Sequence, residues 1–204
     1  MSLRRISAFL VPTSTALATL LTFAEDPTFF KWHPVAFIAA FVLLSANAVA
    51  AMKWQRWLWV HSVLQALASA AICVGFYVIW SLKEQFKRPH FWSTDASLHA
   101  WLGGAALSAY LLMSVLASLF MSPLHDKRTR VGYAAMHRQW GFLFWLVACA
   151  ALLTGWNKNY ALASPAWLGF AAALALITFL NYNAAVWTTW TNLFAAPRFV
   201  KSKE

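Results

Sequence analysis

The segment HPVAFIAAFVLLSANAVAAM, residues His33 to Met52, contains no Asp, Glu, Lys or Arg. A helix rises about 1.5 Å per residue, so about 20 such residues span the roughly 30 Å hydrocarbon core of a bilayer. The segment therefore predicts a transmembrane helix with one titratable side chain, His33, at its start.

The composition of the whole chain points to the same environment. Hydrophobic residues make up 61% and charged residues 11% of the 204 residues, against averages of about 45–50% and about 25% in soluble domains. Aromatic residues make up 17%, as expected where rings sit at the headgroup level of a bilayer. These values exclude a soluble globular domain. Cys73 and Cys149 lie in apolar runs without CxxC spacing, and we interpret them as buried small residues.

Six segments are long and apolar enough to cross a bilayer. Polar or helix-breaking residues separate them, and the fold class is predicted to be an all-α integral membrane protein whose residues 1–204 form a single transmembrane domain. The six predicted spans run from Ile6 to Ala24, His33 to Met52, Trp59 to Leu82, Leu98 to Met121, His137 to Trp156, and Ala166 to Trp190.

The first span has two other interpretations. Arg4 and Arg5 followed by an apolar stretch and Ala24 also fit a signal peptide, and a start without acidic residues fits an organellar address. We favour an uncleaved first helix.

The basic residues indicate the orientation of the chain. The net charge is +10, and the cations lie between the apolar runs, so they predict contact with the lipid bilayer surface and no nucleic acid partner. Six spans place both termini on one side, and cations are enriched on the cytoplasmic side of membrane proteins. The termini are therefore predicted to be cytoplasmic, in an endomembrane or plasma membrane, with an organellar membrane left open. The eleven cations of the termini's side are Arg4, Arg5, Lys53, Arg56, Lys127, Arg128, Arg130, Arg138, Arg198, Lys201 and Lys203, and the five of the other side are Lys31, Lys83, Lys87, Arg88 and Lys158.

Four histidines stand at the starts of four successive spans, at His33, His61, His99 and His137. Because successive spans run in opposite directions, His33 and His99 are predicted at the outer face and His61 and His137 at the cytoplasmic face. Two imidazoles at one level on facing helices can hold a haem iron from both sides and leave no open position for oxygen. A single histidine at a helix start is more often a solvated residue, but four paired by side favour haem ligation.

Two glycines support this hypothesis. Gly103 and Gly141 each lie four residues after a histidine, on the same helical face. A missing side chain there leaves room for a flat macrocycle, although small residues also serve ordinary packing between membrane helices.

The sequence around the four histidines resembles the eukaryotic cytochrome b561 family, in particular its short members with only the core domain. The resemblance implies a central four-helix bundle, formed by the second to fifth helices, that holds two b-type haems. His61 and His137 would ligate the cytoplasmic haem, and His33 and His99 the other. The matching segments are Phe30-Lys31-Trp32-His33-Pro34, His61-Ser62-Val63-Leu64-Gln65, His99-Ala100-Trp101-Leu102-Gly103 and His137-Arg138-Gln139-Trp140-Gly141.

The resemblance also implies an enzyme, a transmembrane ascorbate-dependent oxidoreductase. Electrons would pass from cytoplasmic ascorbate to monodehydroascorbate or a ferric chelate on the far side. Basic residues ahead of the third and fifth helices bind ascorbate in the family, and here the candidates are Lys53, Arg56, Arg128 and Arg130. In the outer loop His90 is the candidate acceptor contact, although this loop is a few residues longer than in typical short members. A homodimer is compatible with these features.

Three rival functions remain at this point. The chain could be a dihaem membrane-anchor subunit that oxidises quinol or serves a partner redox enzyme. It could be a non-redox transporter or channel whose histidines move protons, or a haem-bearing scaffold that passes no electrons on.

Overall fold

A computed structural model of the chain describes residues 3–22, 28–121, 127–156 and 165–194, without the side chains of residues 22, 127–132, 135 and 183–194. This part of the chain consists of six long helices joined by turns, and it contains no β-strand. The helices are α1 Leu3–Thr22, α2 Phe29–Gln55, α3 Leu58–Gln85, α4 Leu98–Phe120, α5 Lys127–Trp156 and α6 Pro165–Phe194.

Each helix coincides with one of the six predicted spans. Helices α2 to α6 each contain a stretch long and apolar enough to cross a membrane. Helix α1 is the sixth long helix. It has 20 residues and contains Pro12. The prediction of an all-α, multi-pass integral membrane protein is confirmed.

Helix α5 begins earlier than the apolar pattern suggested. It begins at Lys127, so His137 lies in its third turn rather than at its start. The charged residues Arg128 and Arg130 lie before the apolar run but within the helix, because arginine and lysine have good helix propensity. The membrane-spanning part still begins next to the histidine, at Met136.

Helix α2 is continuous but not uniform. It opens with a 3₁₀ turn and contains two wider π-helical segments, Ala39–Ser45 and Ala51–Gln55. It ends at Gln55, and the backbone of the following residue, Arg56, adopts the left-handed conformation with φ of 56°. Such wider turns change the faces that a helix presents to its neighbours.

The interior is built largely from small side chains. Alanines without solvent exposure occur on α1, α2 and α3, as at Ala16, Ala46 and Ala68, and one apolar core contains residues of all six helices. Larger apolar residues such as Leu67 and Tyr77 face outward. Small residues let helix backbones approach closely in a membrane, where lipid already solvates the large apolar side chains.

Replacement of Ile72 by alanine tests this packing. Ile72 is fully buried on α3, and truncation of a buried isoleucine costs about 2–5 kcal/mol because a cavity remains. We expect a clear fall in the thermal unfolding temperature of Ile72→Ala in detergent. Val74→Ala, on the exposed side of the same helix, is the control and should leave that temperature nearly unchanged; equal losses would contradict the assigned core.

Candidate functional site

The four predicted histidines come together as two pairs. His33 on α2 and His99 on α4 have ring centroids 6.2 Å apart, with the ring planes at 86°. His61 on α3 and His137 on α5 have ring centroids 6.3 Å apart, with the planes at 82°. Each pair joins alternate helices, as the alternating directions of the spans predicted.

Backbone carbonyls orient three of these imidazoles. The Nδ1 atoms of His33, His61 and His99 lie 3.1, 3.0 and 2.9 Å from the carbonyl oxygens of Gly75, Ala48 and Ala151 respectively. A carbonyl only accepts, so each Nδ1 carries the proton and donates it, which places the ring's lone pair on Nε2. The Nδ1 atom of His137 is buried without a hydrogen-bond partner among the described residues.

The separation of the rings fits two ligands of one metal ion. An imidazole nitrogen binds a first-row metal at about 2.0–2.1 Å, so rings on opposite sides of one ion have centroids about 6.3 Å apart. The observed separations are 6.2 and 6.3 Å. Within the described ranges no three His, Cys, Asp or Glu side chains form a group that could hold a bare metal ion. Each pair offers two imidazole rings, a donor set that suits a metal whose other ligands come from a cofactor, as in haem.

The outer pair borders a cavity of about 290 Å³ that His33, His99 and Gly103 line together. A Cβ atom added to Gly103 or to Gly141 would meet no described atom within 4 Å. Packing against a neighbouring helix therefore does not account for glycine at either position. The space beside Gly103 is part of the cavity, where a flat cofactor can lie against the helix.

Comparison with known proteins agrees with this geometry. Residues 32–162 match the family described as eukaryotic cytochrome b561, and all four histidines lie within the match. The chain belongs to the cytochrome b561 family. Members of this family bind haem b and transfer electrons across membranes, so the resemblance inferred from the histidine motifs is confirmed.

Two mammalian proteins are similar to part of the chain. The chain is 25% identical over 153 residues to the mouse plasma membrane ascorbate-dependent reductase CYBRD1. This alignment covers 69% of this chain and 51% of the mouse protein. The chain is 24% identical over 153 residues to the rat protein of the same name, covering 69% of this chain and 52% of that protein. The chain thus spans about half the length of these relatives.

Two cations border the outer cavity of this cytochrome b561 protein. Lys83, in the last turn of α3, and Arg88, in the following loop, both line the cavity and an adjoining hollow of about 230 Å³. The Lys83 ammonium donates to the carbonyl of Pro89 and lies 5.1 Å from the centroid of the Phe91 ring. The sequence analysis missed Lys83 as a site residue, because its position at the end of a span also fits a simple orientation signal.

The predicted ascorbate contacts are distributed over two helix ends, the C-terminal end of α2 and the N-terminal end of α5. The Lys53 ammonium donates to the Leu180 carbonyl of α6 at 2.7 Å and lies 4.9 Å from the centroid of a Trp54 ring. Arg56 is exposed at the end of α2. Arg128 and Arg130 lie in the first turn of α5, and their side chains are outside the described part of the chain. Lys53 is thus engaged with α6, and Arg56 faces outward.

His90 lies in the loop after α3, away from the lining of both cavities. Its Nε2 atom lies 2.9 Å from a carboxylate oxygen of Glu84, and the centroid of its ring lies 4.4 Å from that of Trp80. The structure therefore does not bring His90 into the group of residues that surround His33 and His99.

A polar cluster lies between the two histidine pairs. The Tyr110 hydroxyl on α4 donates to the Gln65 side chain on α3, one turn after His61. Ser69 and Ser114, one turn further along each helix, are within hydrogen-bond distance at 3.3 Å. Polar groups at membrane depth are costly unless they are paired. This cluster therefore fixes α3 against α4 between the two sites.

We predict that Tyr110→Phe destabilises the bundle. The substitution leaves the partly buried Gln65 oxygen without its donor, and the loss of such a partner costs about 1–3 kcal/mol. The unfolding temperature in detergent measures the loss. Tyr77→Phe, at a largely exposed tyrosine of α3, is the matched control; a Tyr110→Phe protein as stable as this control would show that the hydrogen bond contributes nothing.

Proposed function

We propose that this chain carries electrons across the membrane, from ascorbate on the cytoplasmic side to monodehydroascorbate or a ferric chelate on the other side. The observation that supports this proposal most directly is the presence of two histidine pairs, each with the ring separation that one shared metal ion requires. Family membership supports the redox chemistry.

The two pairs would hold two haems b per chain. Bound haem would supply a one-electron redox centre, and the two imidazoles of each pair would hold its iron. His33 and the Ala48 carbonyl that orients His61 are 15 residues apart on α2, which is about 22 Å of helix. Two sites at this spacing divide a hydrocarbon core of about 30 Å into shorter steps.

The charge asymmetry supports a direction for the transfer. With the termini in the cytoplasm, His61 and His137 lie on the donor side, and Lys53, Arg56, Arg128 and Arg130 surround the same face. Ascorbate is a monoanion, and arginine and lysine donate charge-assisted hydrogen bonds to such a ligand. The exposed Arg56 side chain is well placed for a soluble donor.

The opposite face also carries groups for an anion. Lys83 and Arg88 border the cavity of the outer pair and can attract an anionic acceptor or pair with the carboxylates of a haem. His90, whose Nε2 atom contacts the Glu84 carboxylate, stays the predicted acceptor contact on this side of the membrane. In this scheme residues 1–204 act as one transmembrane unit in the plasma membrane or an endomembrane.

We expect each histidine pair to account for one haem. Purified wild-type protein should contain about two haems b per chain, and His33→Ala or His61→Ala should each remove about one, as measured by the pyridine haemochrome spectrum. His90→Ala serves as the control and should retain both. A wild-type protein without haem would overturn the proposed function and favour a transporter.

Arg56→Gln tests the donor site. If Arg56 attracts ascorbate, its loss should raise the KM for ascorbate several-fold while the maximal rate of haem reduction changes little, in stopped-flow spectra of the purified protein. Lys31→Gln, at the opposite face, should leave both values unchanged. Rapid reduction by a quinol with none by ascorbate would instead identify a membrane-anchor cytochrome.

A further inference from the structure

The imidazole of His99 rests on one turn of helix α5. Its Nδ1–H group donates to the carbonyl oxygen of Ala151 at 2.9 Å. Gly155 lies four residues later and therefore on the same face of the helix. The ring is thus held by the hydrogen bond that it donates to Ala151, and it lies against the bare backbone of Gly155.

Gly155 is distinguished from other glycines by what a side chain there would meet. A Cβ atom at this position would lie 2.6 Å from Cε1, 3.0 Å from Nδ1 and 3.3 Å from Nε2 of His99. All three neighbours are atoms of one imidazole. At Gly103, Gly141 and Gly169 an added Cβ would meet no described atom within 4 Å.

We propose that Gly155 is a positioning residue that sets the orientation of the His99 ring at the outer haem site. This inference rests on the proposed function, because it assumes that His99 is an axial ligand. The absence of a side chain lets the ring lie close to the backbone of α5, where the Ala151 carbonyl fixes its rotation. The partner ring of His33 is fixed separately, by the Gly75 carbonyl on α3.

The ring has to move if position 155 gains a methyl group. Carbon atoms do not approach to 2.6 Å without bonding, and the helix backbone is the stiffer of the two partners. Alanine also favours a helix over glycine, so the substitution does not weaken α5 itself. The displaced ring would lengthen its bond to Ala151 and change the angle of 86° between the planes of His33 and His99.

This angle has a spectroscopic consequence. The largest g value of a low-spin ferric haem depends on the angle between its two imidazole planes, and the hydrogen bond on the outer nitrogen of a ligand tunes the metal. A change confined to His99 should therefore alter one haem and leave the other as it was.

The first experiment compares Gly155→Ala with wild type as purified holoprotein. Electron paramagnetic resonance spectra should show a shift or loss of one of the two low-spin signals, and a redox titration should show a shift of one midpoint potential. Gly169→Ala on α6 is the matched control and should match wild type in both. If Gly155→Ala also leaves both signals and both potentials unchanged, Gly155 does not position His99.

The second experiment is a double-mutant cycle that does not depend on bound haem. Gly155→Ala should lower the unfolding temperature when His99 is present and should cause no loss in a His99→Ala background, because the ring that it strikes is absent. An equal loss in both backgrounds would place the clash elsewhere and overturn the proposal, even if the single variant proves hard to purify.

The two levels of hypothesis fail separately. Wild-type protein without haem overturns the proposed function, whatever the cycle shows. Wild-type protein with two haems, together with an unaltered outer signal in Gly155→Ala, overturns only the role of Gly155.

Discussion

The hydrogen bond from an imidazole Nδ1–H group to a backbone carbonyl of another helix is the interaction on which the site depends. Lipid offers no acceptor, so a ring N–H group inside the bundle is satisfied by an acceptor of the protein, as the structure shows for three of the four histidines. His33, His61 and His99 each find a carbonyl on a different helix. The same bond fixes the tautomer, so the structural requirement and the orientation of Nε2 toward a metal are met together.

Such bonds demand close helices, and the small residues of the interior provide them. A side chain of a neighbouring helix reaches a backbone carbonyl within a helix only where the residues around that carbonyl have small side chains. Gly75 shows the constraint: an added Cβ would lie 2.8 Å from the Phe37 ring, while the Gly75 carbonyl accepts the hydrogen bond of His33 Nδ1–H. The contact between α2 and α3 and the orientation of His33 therefore depend on the same missing side chain.

The sequence predicted the helices and the pairing of the histidines well, because both follow from length and direction alone. Apolar runs reveal spans, and alternate spans bring His33 to His99 and His61 to His137. The start of α5 at Lys127 was not predicted, since charge ends a hydrophobic run without ending a helix. The roles of Gly155 and Ala151 could not be predicted from the sequence either. They depend on which backbone carbonyl of α5 the His99 ring of α4 contacts. Spacing from the histidine, which singled out Gly103, carries no information about a glycine on another helix.

The choice of histidine also explains where the charge of the chain lies. A neutral imidazole ligates a metal without bringing a full charge into lipid, whereas a lysine or carboxylate at that depth would need a partner. The interior of the bundle can therefore stay uncharged, and the basic residues gather at its two ends, with Lys53 and Arg56 at one and Lys83 and Arg88 at the other. A net charge of +10 placed in this way creates an anion-attracting surface beside each histidine pair. Small anionic donors and acceptors would then be drawn to both faces rather than into the uncharged interior between them.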